Sequence, residues 1–279
     1  MTRIRVITDS ACDLSSSLVE KYGITIVPLN IHFDDETFLD RSIKNREFYK
    51  KMSLSNNLPK TSHPSVEKFL EAYEESDEDL IVITISSKLS NTYDTASLAK
   101  MMYEENNKNR KIAVIDSEAG SAGQGQLAVF AARLIEIGRS FEQVVSLLEL
   151  AKDQIVFYGV LDTLENTIKG GKVSSLTGKI AEALNVKVIL ELGNHKVAPI
   201  YKAKGYDSAL EKIKELICSK SIDTTKKSLF IGHANCLSKA MLMKEIMTRG
   251  NHFESIHIVE IGATMGTYTG EGAILVSVL

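Results

Sequence analysis

Short runs of β-branched and other apolar residues alternate along this chain with longer stretches whose apolar positions recur at helical spacing. The run IRVIT at 4–8 gives way to an amphipathic stretch at 15–22, LIVITI at 80–85 to one at 91–103, and KIAVID at 111–116 to one at 121–136. Strand and helix alternating in this way predict a parallel, doubly wound sheet covered on both faces. Two of the strands end alike, ITDS at 7–10 and IDS at 115–117, each placing an Asp-Ser pair where the strand turns toward a helix. That edge is where open α/β sheets bind ligands. On the sequence, Asp9 and Asp116 read equally well as turn caps or as ligand groups.

Between residues 26 and 54 the pattern changes. VPLNIHF and DETFLD read as a strand or hairpin excursion before a short helix around 46–52, an element inserted into the first domain. Ser140, with Phe141, Glu142 and Gln143 behind it, starts a helix that runs to about Asp153. A boundary is expected after it, giving a parallel α/β domain over 1–154 and a mixed α/β domain over 155–279. Strands are expected in the second at 155–160, 186–192, 196–201, 228–231, 256–261 and 273–278. Gly193-Asn194 between two apolar runs marks a hairpin, so that sheet is mixed.

The 279 residues are 44% hydrophobic and 25% charged, enough to bury a sizeable core in one large or two medium domains. With 33 basic against 36 acidic residues the formal charge is −3, which gives no general electrostatic attraction to nucleic acid. Cys12, Cys218 and Cys236 are odd in number and scattered, as in a reducing compartment, and the expected location is the cytoplasm. The first residues lack the apolar core and cleavage site of a signal peptide. The longest apolar runs fall well short of the roughly 20 residues that a membrane helix needs.

Several polar constellations stand out. Lys60-Thr61-Ser62-His63-Pro64-Ser65 crowds three hydroxyls and an imidazole before a helix starting near Ser65. These read as caps, with Pro64 in a first turn, or as an anion site at a helix start. The turn from Ser86 to Tyr93 is again rich in hydroxyls, with Ser90 or Asn91 as a cap and the remainder free to bind. Residues 262–272 read as a glycine-rich loop between two strands whose glycines open no helix, and no G-x-x-x-x-G-K-[ST] occurs. Lys169-Gly-Gly-Lys172 places two cations on a turn expected to be exposed. His233 and Cys236 have H-x-x-C spacing, too few ligands for a metal site, so no metal is expected. No G-x-S-x-G elbow is present, and His63 beside Ser62 makes no triad.

Taken together and in order, ITDSACDL, VPLNIHF, TSHPS, ISSKLSNTY, VIDSEAGSAGQG, LDTLENTIKGGKVS, LNVKVILEL and GATMGTYTGEGA resemble the DegV family. Its characterised members are the fatty-acid-binding FakB subunits of bacterial fatty acid kinase. The resemblance spans essentially the whole chain and implies an apolar tunnel between the two domains. It implies that the lipid carboxylate is held by Thr61, Ser62 and Ser90. The family's R-GG-R becomes Lys169-Gly-Gly-Lys172, keeping charge but losing guanidinium geometry. Asn91 stands for a usual glycine, and a family histidine falls on Tyr268. A phenol donates one hydrogen bond but stays neutral near pH 7. His63, where many relatives carry Gln, is expected to compensate in part.

The resemblance therefore implies a carrier without catalytic activity or cofactor. It holds one long-chain fatty acid and presents the carboxylate to an ATP-dependent kinase subunit, with at most transient membrane contact. Lys169, Lys172, Lys202 and Lys204 are expected to form the basic rim that docks the kinase. The competing reading is a stand-alone hydrolase or phosphotransferase acting on a small ligand at the interdomain cleft through Ser62, His63 and the glycine loop.

Overall fold

The structure, a computed structural model, describes residues 3–34, 36–107, 109–172, 186–193, 196–220 and 223–279. Its first sheet has the order β2-β1-β6-β7, with β1 Ile4–Asp9, β2 Thr25–Val27, β6 Asp79–Thr84 and β7 Ile112–Asp116 all parallel. Every residue of β6 is buried, because helices cover both faces of the sheet. Leu80 and Val82 pack with Phe69 and Tyr73 of α3 (Val66–Glu74) and with Ala96 of α4 (Thr92–Asn106). Ile81 and Ile83 face the main core. α1 (Ser16–Tyr22) follows β1, opened by the Ser15 side chain and closed by Gly23.

The excursion after β2 is a separate antiparallel sheet of order β4-β3-β5, built from β3 Asn30–Phe33, β4 Glu36–Leu39 and β5 Lys60–Ser62. α2 (Asn45–Leu54) lies between β4 and β5 and buries Phe48 and Tyr49. Lys60, Thr61 and Ser62 are thus an edge strand rather than a helix cap, and Pro64 precedes α3 instead of opening it.

The second sheet, of order β10-β9-β8-β13-β11-β12, comprises β8 Val156–Leu161, β9 Val186–Gly193, β10 Lys196–Lys204, β11 Ser228–His233, β12 Ser255–Glu260 and β13 Ile274–Val278. Only β11 and β12 pair in parallel; the other neighbours are antiparallel. Gly193 pairs with Lys196 across the expected hairpin, whose turn residue Asn194 lies outside the described residues. α8 (Tyr206–Cys218) and α9 (Leu237–Thr248) cover one face of this sheet.

α5 (Ser121–Glu136) runs between the two large sheets and is almost wholly buried, and α6 (Phe141–Lys152) packs beside it behind a Ser140 capping box. α5 holds both sheets with its polar side chains. Gln124 donates to Thr8 on β1 at 3.0 Å, and Gln126 donates to the Ser228 carbonyl at 2.7 Å. Gly125 is needed because a Cβ there would stand 2.5 Å from the Cys12 carbonyl oxygen. The resulting core is continuous, joining Ile81 and Ile83 to Phe157, Leu161, Phe230 and Leu275. Among the described residues no helix is long and apolar enough to cross a membrane.

Two further helices complete the chain, α7 (Glu165–Lys169) and α10 (Ala263–Thr269). The latter corrects the expected loop at 262–272: Gly262 opens this short helix and Gly270, at φ +73°, closes it. Gly266 sits in its middle because a Cβ there would lie 2.5 Å from the Tyr49 hydroxyl. Packing outweighs the cost of about 1 kcal/mol that glycine imposes on a helix.

Candidate functional site

A cavity opens between the carboxyl edge of the first sheet and the inner face of the second, the place where small-molecule sites of α/β proteins commonly form. Leu29, Ile85, Leu89 and Ala119 line it from the first half, and Phe157, Leu161, Leu190, Leu192 and Leu275 from the second. Strand periodicity explains the second set. Phe157 stands opposite Leu192 and Gly159 opposite Leu190, so alternate residues of β8 and β9 share the cavity face. At Gly159 a Cβ would come 2.5 Å from Leu275 Cδ2, so glycine leaves that side chain its place.

Polar groups converge at one end. Thr61 on β5 and Tyr268 on α10 bring their hydroxyl oxygens to 2.8 Å. The Tyr268 carbonyl accepts from Thr167 of α7 at 2.8 Å, and a Cβ on Gly170 would lie 2.3 Å from the Tyr268 ring. Gly170 is therefore a packing requirement of the tyrosine. Ser90 also lines this wall, with its Oγ 2.8 Å from Thr92 Oγ1. The Lys172 ammonium donates to the Leu89 carbonyl at 2.6 Å and sits 4.9 Å from the Tyr268 ring centroid. Burial pushes its pKa below the ordinary lysine value. Lys172 is thus half-buried in the cavity wall, which corrects the expectation of an exposed turn, because its aliphatic stem packs inward.

Of the other residues singled out from the sequence, Ser62, His63 and Asn91 lie off this wall. Ser62 points from the opposite face of β5, where its Oγ is 2.9 Å from His32 Nε2 and 3.2 Å from Asn30 Nδ2. His63 is exposed, with Nδ1 3.0 Å from Thr95 Oγ1. Asn91 is exposed at the start of α4 and makes no side-chain cap bond. Lys169 is exposed and paired with Glu165 at 2.6 Å. Lys202 and Lys204 are exposed on β10, opposite Val188 and Val186, on the sheet face that also carries Leu190 and Leu192.

Asp9 and Asp116 hold backbone. Asp9 accepts from the Ala11 and Ile85 N–H groups at 3.0 and 2.7 Å, and burial pushes its pKa up to about 6. Asp116 accepts from the N–H groups of Ser87 and Glu118. His233 Nδ1 accepts from the Cys236 N–H at 3.3 Å, and no group of three metal-ligating side chains occurs among the described residues.

Ser86, from the hydroxyl-rich turn expected to bind, lines the cavity. Two features were not singled out from the sequence. Glu118 also lines the cavity, and its position just past the Asp116-Ser117 strand end was the available signal. The start of α10 is held by carboxylates from the first half. Asp13 accepts from the Gly262 N–H at 2.8 Å and from the Ser121 hydroxyl at 2.5 Å, and Asp40 accepts from the Thr264 hydroxyl at 2.6 Å. Burial, reinforced by Asp40, pushes the Asp13 pKa up to about 8.

The arrangement is a largely apolar cavity in which the Thr61, Tyr268 and Ser90 hydroxyls and the Lys172 ammonium converge at one end, with Glu118 elsewhere in the wall, and it suits an apolar molecule with a small anionic head. Known proteins of this build are similar over the full length. DegV domain-containing protein YejH of Lactococcus lactis is 32% identical over 274 residues, covering 97% of this chain and 96% of that one. A DegV family protein of Ruminococcus gnavus, solved with vaccenic acid, superposes with TM-score 0.93 at 29% identity over 99% of both chains. A Thermus thermophilus DegV family protein, solved in a study of its fatty acid binding, gives 0.89 at 27% identity, again over 99% of both. The family model "Uncharacterised protein, DegV family" matches residues 3–279, and the chain belongs to the DegV family.

Proposed function

We propose that this protein is a fatty-acid carrier that takes one long-chain acid into the cavity and presents its carboxylate to an ATP-dependent kinase, which forms the acyl phosphate. The observation that carries the reading is the apolar channel ending in the Thr61–Tyr268 hydroxyl pair beside Lys172. Vaccenic acid in the R. gnavus relative and the fatty acid binding of the T. thermophilus relative support the ligand class. The kinase rests on the resemblance of the motifs to the FakB subunits.

The energetics fit this division of labour. Burying about 15 methylenes at about 0.8 kcal/mol each yields on the order of 12 kcal/mol before ordering costs, so the tail supplies affinity. Hydroxyl hydrogen bonds to a charged group, worth about 1.5 to 3 kcal/mol each, orient the head and offset part of its desolvation. In this reading Thr61, Ser90 and Tyr268 meet the carboxylate and Lys172 supplies the nearby positive charge. Ser62, His63 and Asn91 support the strand and helix that carry them. Lys169, Lys202 and Lys204 form the basic rim for the kinase, the protein itself performs no chemistry, and it works in the cytoplasm as two lobes, 1–154 and 155–279. The test is reconstitution with a purified fatty acid kinase subunit and ATP. Acyl phosphate forms only when the lipid-loaded carrier is present; equal turnover of free fatty acid without it overturns the kinase half of the reading.

A further inference from the structure

The register of the second sheet gives the cavity a direction. Leu161, opposite Val188, lies toward α7 and Lys172, whereas Phe157, opposite Leu192, lies at the other end of β8. That far end is reached from the last residue of α6, Lys152, through the short link 153–155. The Lys152 ammonium sits 3.2 Å from the carboxylate of Glu118, a residue of the cavity wall, and only 16% and 14% of the two side chains are exposed. Lys152 also holds Glu149 at 2.6 Å. Glu118 takes a left-handed backbone, φ +54°, with its N–H donated to Asp116 at 3.0 Å. Non-glycine residues rarely adopt that conformation unless their surroundings hold it. A Cβ on Gly123 would touch both Ala119, at 3.0 Å, and the Phe157 ring, at 3.1 Å, so the wall beside Phe157 is backed by this ion pair.

We propose that the Glu118–Lys152 pair sets the upper limit of acyl chain length. The inference rests on the fatty-acid reading and specifies the ligand of that same cavity. A partly buried ion pair depends on the water and polar partners it keeps, and a methyl end pressed against it removes that water and returns no hydrogen bond. Chains that stop short of the pair escape the penalty. Phe157 and Leu192 also wall a second cleft on their far side, lined by Asp153, Glu191 and Lys227, so the route past them is polar as well.

The test offers delipidated protein an equimolar series of even-numbered saturated acids from lauric to behenic and reads occupancy by native mass spectrometry. Each methylene that finds apolar room strengthens binding about fourfold. In the Glu118→Leu/Lys152→Met protein the most occupied acid moves up by one homologue, with retention of that acid rising on the order of 15-fold for its two extra methylenes. Glu118→Gln keeps the side-chain size and leaves Lys152 its Glu149 partner. As a milder change it shifts the distribution the same way by less, and it serves if the double variant does not fold. A wild-type distribution retained by a folded, lipid-binding variant overturns the inference and leaves the fatty-acid reading intact. Failure of the wild type to take up any acid overturns both.

Discussion

The Tyr268 hydroxyl lies 2.8 Å from Thr61 Oγ1, although 207 positions separate them in the chain. One comes from an edge strand of the first half and the other from a helix of the second, so the contact exists only when the halves are closed on each other. Removing one hydroxyl frees the other and loosens the head-group position. Tyr268→Phe and Thr61→Ala are each expected to weaken lipid retention modestly. Acyl-phosphate formation falls much further, because a displacement of about 1 Å can cost roughly 100-fold in rate. Tyr268→His is expected to restore or exceed wild-type transfer. Initial rates with the kinase and ATP, set beside lipid dissociation constants, separate the two effects.

Gly170 and Gly171 are expected to fail for different reasons. A methyl at Gly170 meets the Tyr268 ring at 2.3 Å, so Gly170→Ala displaces the tyrosine and impairs acyl-phosphate formation. At Gly171 no described residue crowds a Cβ but φ is +67°, so Gly171→Ala strains the backbone, costs about 1 kcal/mol of stability and leaves the ligand in place. Melting temperature and lipid affinity measured on both variants distinguish these outcomes; equal loss of lipid affinity in the two contradicts the assignment.

Lys172 and Lys169 are expected to divide. Lys172→Met removes the charge at the cavity wall and raises the fatty acid dissociation constant. Lys169→Glu with Lys202→Glu and Lys204→Glu leaves that constant unchanged, slows kinase turnover and reduces its dependence on ionic strength, since exposed charges govern encounter more than affinity.

Much of this was open to reading in the chain. The β-branched runs at β1, β6 and β7 announce a sheet covered on both faces, and the hydroxyl-rich turns fall at its carboxyl edge. Thr61 and Ser62 show where pattern alone stops. Adjacent strand residues face opposite ways, and the phase is set by pairing with β3, where buried Ile31 stands opposite Thr61. α10 was hidden because glycine argues against helix locally, while the contact that demands it, from Gly266 to Tyr49, spans more than 200 residues. The inward turn of Lys172 and the Glu118–Lys152 pair likewise depend on distant elements meeting.

Asp13 gives the fold a pH dependence that can be isolated. Its folded pKa, about 8, lies above the ordinary 3.8, so the folded protein binds the extra proton between those values. Its contribution to stability is complete below about pH 4 and is lost as pH rises through about 8. Asp13→Asn removes that titration. The stability of the wild type relative to Asp13→Asn is expected to fall steadily from pH 4 to pH 8 in chemical denaturation and then level off; a difference independent of pH contradicts the assignment.

The most direct test of the account is native mass spectrometry of the purified protein, paired with analysis of its organic extract. The expected result is one long-chain fatty acid per chain, lost on delipidation and restored by added acid with a rise in melting temperature. Protein that carries no fatty acid, and whose melting temperature is unmoved by added acids of every chain length, would contradict it.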